Sequence, residues 1–146
     1  MTMVAKVFLD TNIVLRVIFL ERDAYPQIHA KFEHLIESQS ELWISGQVIR
    51  ELLVQATHPK TFETHISIYE AIQKFNQFKR LLRIADDTNS VREMLLELIQ
   101  MYPTQGKKIH DANIVATMLA YQIDTLFTLN IDDFRRFENK ITLLSL

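Results

Sequence analysis

The stretch VFLDTNIVLR, residues 7–16, decides how the rest of the chain is read. The run from Val4 to Leu9 is apolar, β-branched at its start, and predicts a buried strand ending at Asp10. Helical spacing then takes over through Ile13, Val14, Val17 and Ile18, with Thr11 or Asn12 as the expected cap. A strand that passes directly into a helix, with an acid at the junction, is the repeating unit of an α/β fold.

The same junction recurs along the chain. Leu42 to Ser45 predicts a short strand, and Val48, Ile49, Leu52 and Leu53 open a helix carrying Glu51. Tyr25 to Glu37 reads as a helix with Ile28, Phe32, Leu35 and Ile36 on one face, and Ile66 to Phe78 as another through Tyr69, Ile72 and Phe75. Leu81 to Ala85 follows as a strand, and Asp86, Asp87 and Thr88 offer caps for a helix bearing Val91, Met94, Leu95, Leu98 and Ile99. After Pro103 and Gly106 a helix begins near Asp111, followed by strands at Thr125 to Leu129 and Ile141 to Leu144. This alternation predicts an α/β/α sandwich around a mainly parallel sheet of about five short strands.

At 146 residues and 48% hydrophobic, the chain is expected to form one domain over residues 1–146 with a substantial core. It has no cysteine, which excludes disulfides and thiolate metal sites and suits a reducing cytoplasm. The longest apolar runs are interrupted by charge, so no membrane partner is expected. Sixteen basic against eighteen acidic residues give a formal charge of −2, which argues against an extended nucleic-acid grip. It argues less against a small metal-centred nuclease, where several acids are engaged by cations and pairs such as Lys107 and Lys108 or Arg135 and Arg136 meet phosphate.

Three acids stand at strand ends or helix starts: Asp10, Glu51 and Asp111. In an open parallel sheet such positions converge at the carboxyl ends of the strands. Clustered carboxylates are costly unless neutralised, and a hard cation such as Mg²⁺ or Mn²⁺ does this where a phosphate ester is the substrate. Each acid also has a plainer reading. Asp10 serves equally as the N-cap of the next helix. Glu51 shares its face with Gln47 and Gln55, so alone it reads as solvent-exposed. Asp111 heads a helix apolar nearly all round and is expected to be buried, yet a helix N-terminus also favours a carboxylate as a cap. His110 reads as a polar loop side chain or an acid-base group. Asn130, Asp132 and Asp133 follow the strand ending at Thr128, where turn and cap chemistry also selects Asn and Asp.

Taken in order, Asp-Thr-Asn after a strand, Ser-x-x-Val-x-x-Glu-Leu, His-Asp-Ala-x-Ile-x-Ala and Thr-x-Asn-x-x-Asp-Phe resemble the PIN-domain family, and in size and layout its VapC-type toxins. The resemblance runs from Asp10 to Phe134. It implies a Mg²⁺- or Mn²⁺-dependent ribonuclease, with Asp10, Glu51 and Asp111 as metal ligands. The family's fourth acid falls near Asn130, with Asp133 three residues on, so that either orders a second ion or a water. It further implies a small antitoxin protein as partner and a homodimer. Two rivals remain. A phospho-accepting receiver domain has similar alternation but needs an acidic pair after the first strand and a lysine after the last. A degenerate PIN domain, acting as an RNA- or protein-interaction module without catalysis, is favoured only by Asn130.

Overall fold

The computed structural model describes residues 4–19, 24–59 and 66–146. Strands β1 (Lys6–Leu9), β2 (Glu41–Ser45), β3 (Arg83–Ala85), β4 (Thr125–Phe127) and β5 (Thr142–Leu144) form one wholly parallel sheet in the order β3-β2-β1-β4-β5. In register, Phe8 stands opposite Trp43 on one side and Leu126 on the other.

Helices α1 (Thr11–Ile18), α2 (Pro26–Glu37), α3 (Gly46–Thr57) and α4 (Ile68–Lys79) lie in the connections that step outward from β1 to β3. Helices α5 (Asn89–Met101) and α6 (Lys108–Ala120) carry the chain back past β1 to β4, and α7 (Ile131–Phe134) leads to β5. Because parallel crossovers are right-handed, connections running in opposite directions along the sheet fall on opposite faces. Helices α1, α2, α3 and α4 accordingly pack among themselves, as do α5, α6 and α7, giving the expected sandwich. A receiver domain has the order 2-1-3-4-5. The observed order excludes it.

A sheet covered on both faces needs apolar residues without alternation, and β1 supplies them: Val7, Phe8 and Leu9 are all buried, with Ile44, Leu126 and Phe127 beside them. Several sequence expectations shift. The cap of α1 is Asp10 rather than Thr11 or Asn12. The inner face of α4 is Ala71 and Phe75, whereas Tyr69 and Ile72 are exposed, as is Ile36 at the end of α2. Thr88, not Asp86 or Asp87, caps α5 by accepting from the Val91 amide.

Helix α6 begins at Lys108, a turn before Asp111, because Gly106 at φ 65 turns the chain into it. Helices α2 and α6 both end with a glutamine in the left-handed region, Gln39 at φ 60 and Gln122 at φ 58. Each end is tied by paired backbone bonds, Ser40 to Leu35 with Gln39 to Ile36, and Ile123 to Met118 with Gln122 to Leu119. This is the Schellman closure, with glutamine where glycine is usual.

Candidate metal centre

The connections diverge on either side of β1, which opens a crevice at the carboxyl ends of β1 and β4. Asp10 leaves β1 into this crevice and is 6% exposed. Its Oδ1 accepts from the Thr11 amide at 2.8 Å, which caps α1. Its Oδ2 accepts from the Thr128 hydroxyl at 2.7 Å and the Asn12 side-chain amide at 3.3 Å. A carboxylate offers about four lone-pair sites, so these donors leave about one open. The cap role and a ligand role are compatible in one side chain. Burial pushes the Asp10 carboxyl above its ordinary range and the Glu51 charge adds to this, while the Thr128, Thr11 and Asn12 donors oppose it.

Glu51 is not solvent-exposed. One turn into α3, it turns toward α1: Oε2 accepts from the Thr11 hydroxyl at 2.6 Å and Oε1 from Gln47 at 3.1 Å. The Gln47 amide also donates to the His110 carbonyl at 3.0 Å, and its oxygen accepts from Asn113 at 2.9 Å. Gln47 is buried. It therefore braces α3 against α6 at the level of both acids. The neighbouring Ser45 is the N-cap of α3, its hydroxyl accepting from Val48.

Asp111 lies in the first turn of α6 and is half-buried rather than buried. Its carboxyl is pushed up to about 6 by burial first, then by the charges of Asp133, Asp10 and Glu51, with Arg136 pulling the other way. The acids thus share one electrostatic neighbourhood although they come from three separate units of the fold. Among the described residues no three His, Asp or Glu side chains stand ready-made around a single point.

The last segment divides. Asp132 faces solvent and pairs with Arg135 at 2.7 Å, whereas Asp133 is the acid that acts on Asp111. Asn130 is exposed, and its backbone amide donates to the Thr128 hydroxyl at 3.0 Å. His110 is exposed, and it is its carbonyl that takes part in the network. The donor set is all oxygen, with the Asp10 and Asp111 carboxyls held toward protonation by burial and neighbouring negative charge, which suits a hard divalent cation. Thr11 and Asn12 are the polar support for Asp10 that the sequence suggests, whereas the roles of Thr128, Gln47 and Asn113 emerge only from the fold. Thr128 flanks a strand end, and Gln47 lies four residues before Glu51, so their spacing held the only available signal.

The family model for the PIN domain matches residues 7–140. No curated protein matches the chain. Among solved structures, VapBC2 from Rickettsia felis bound to a DNA fragment from its promoter is 23% identical over 97% of this chain and 98% of that one, with a TM-score of 0.71. DNA-bound VapBC from Salmonella typhimurium is 19% identical over 97% and 98%, with a TM-score of 0.65. Mycobacterium tuberculosis VapC20, a toxin that cleaves the sarcin-ricin loop, is 15% identical over 89% and 94%, with a TM-score of 0.62. At these identities the likeness speaks for the fold.

Proposed function

The chain belongs to the PIN-domain family, and on that premise we propose that it is a Mg²⁺- or Mn²⁺-dependent endoribonuclease, the toxin of a bacterial toxin-antitoxin pair. The observation that carries this reading is the electrostatic coupling of Asp10, Glu51 and Asp111 in the crevice at the strand ends. Like charges held together at buried and half-buried positions are costly, and the cap that Asp10 makes for α1 accounts structurally for only one of the three.

In this reading Asp10 and Asp111 hold the cation directly, and Glu51 holds it directly or through a water. Asp133 completes the set, with Asn130 as the alternative. Asp132 is engaged by Arg135 and left out. A bound cation lowers the pKa of the attacking water and offsets charge at phosphorus. The protein's own contribution is orientation. Thr128 and the Thr11 amide fix Asp10, while Thr11 and Gln47 fix Glu51, so each carboxylate is held in one orientation. Water in line with the leaving oxygen then cleaves the phosphodiester, and no side-chain nucleophile is required.

The same proposal includes a small antitoxin protein bound over the crevice, a partner class supported by the similar toxin-antitoxin complex from Klebsiella pneumoniae. A homodimer is part of the same proposal, supported by Leu96 and Met101 exposed on α5. Among the described residues no helix is long and apolar enough to cross a membrane.

The test is incubation of the protein with pooled cellular RNA and Mn²⁺. Cleavage that chelation abolishes, and that Asp10→Asn and Glu51→Gln each lose, is expected. Wild-type-like cleavage by those variants would refute the assignment. Absence of both cleavage and Mn²⁺ affinity would favour the interaction module.

A further inference from the structure

Between the end of α5 and the start of α6 lies a cavity of about 510 Å³ lined by Ile99, Pro103, Thr104, Gln105, Lys108 and Arg136. Lys108 opens α6, and Asp111 follows three residues later on the same helix. We propose that this cavity binds a backbone phosphate of the single-stranded nucleic acid, with Lys108 and Arg136 as its counter-charges, beside the bond being cleaved. The proposal rests on the nuclease reading above and adds to it where the strand is held.

Charge is the first argument. No acid among the described residues lines the cavity. Three arginines are matched, Arg83 with Glu41, Arg92 with Glu93 and Arg135 with Asp132, whereas neither Lys108 nor Arg136 enters an ion pair among the described residues. Two unpaired cations around an open space of this size form an anion site by their chemistry, and arginine in particular presents a planar fork suited to phosphate.

Preorganisation is the second. The Arg136 guanidinium lies over the Phe137 ring at 4.6 Å, and its Nη2 reaches the Lys108 carbonyl at 3.5 Å. Its Nε is buried with no partner. A buried donor left unmatched is costly, and a phosphate oxygen is an acceptor that would satisfy it.

The third argument is position. Arg136 acts electrostatically on Asp111, so the cavity and the carboxylates belong to one stretch of surface. If Arg136 served only as a counter-charge for Asp111, Lys108 would have no part in binding. That makes the two side chains separable.

The experiment measures anisotropy of a labelled single-stranded RNA of about twelve nucleotides, a length within the usual single-strand site range, bound to the full chain with EDTA present. Lys108→Gln and Arg136→Gln are each expected to weaken binding and to reduce the slope of log K against log salt by about 0.7, the value for one lost single-strand phosphate contact. Lys140→Gln, outside the cavity, is expected to change neither. Lys108 is exposed, so its variant keeps the test decisive should Arg136→Gln fold poorly. A wild-type slope in Lys108→Gln overturns the proposal. If wild type still cleaves RNA with Mn²⁺ in that case, only the cavity assignment falls; if wild type neither binds nor cleaves, the nuclease reading falls with it.

Discussion

Asp111→Asn separates a metal ligand from a structural acid by its effect on stability. The Asp111 carboxyl titrates at about 6 instead of 3.8, so the ionised form is disfavoured in the fold. Two pKa units correspond to about 3 kcal/mol at about 1.4 kcal/mol each. The side chain is half-exposed, and solvent screening reduces this to about 1.5 kcal/mol. A raised carboxyl means that the folded state binds the extra proton between pH 3.8 and about 6. Metal-free stability therefore falls as pH rises through that window, and the whole penalty is present above it. Asparagine keeps the shape without the charge. In EDTA at neutral pH the variant should be more stable by about 1.5 kcal/mol, or about 3–6 °C in Tm for a domain of this size. At acid pH below the window the two proteins should coincide. Mn²⁺ should raise the Tm of wild type by mass action and leave the variant little changed. Urea unfolding across the pH range, with and without Mn²⁺, measures all of this. A variant less stable than wild type at neutral pH, or a gain that persists in acid, refutes the electrostatic reasoning.

Gln47→Leu removes the brace between α3 and α6, and Mn²⁺ affinity by calorimetry should drop about 10–100-fold, as for other residues that orient ligands; unchanged affinity would show that Glu51 needs no such support. Gln122→Gly relieves a left-handed glutamine, worth about 1 kcal/mol, but glycine loses part of that to its freer unfolded chain. A net gain of about 0.5 kcal/mol in urea unfolding is expected, and a loss would mean that the glutamine side chain is itself stabilising.

The alternation of strands and helices was legible because it is local. Val7, Phe8 and Leu9 of β1 form an unbroken apolar run and α1 follows with helical spacing, so VFLDTNIVLR alone places an acid at a strand end. The inner face of α4 was not legible. Periodicity groups Tyr69, Ile72 and Phe75 on one side, but only packing decides that Ala71 and Phe75 turn inward. Taken alone, Glu51 reads as exposed for a related reason: its helix neighbours are polar, and its partner Thr11 is 40 residues away. Thr128, whose hydroxyl holds Asp10, is 118 residues from it. Strand ends far apart in the chain meet only once the sheet order is known.

Trp43 is the only tryptophan in the chain, which gives the protein a built-in optical reporter. Its ring lies 5.6 Å from that of Tyr121, and the Tyr121 hydroxyl is tied to the backbone of Asp86 beyond β3. Tyr121 follows Asp111 by ten residues, about 15 Å along the helix axis, so an ion among the carboxylates lies too far off to quench the indole by contact. A change in emission on adding a cation would therefore register displacement of the whole of α6, and a silent indole would mark the helix as a fixed post.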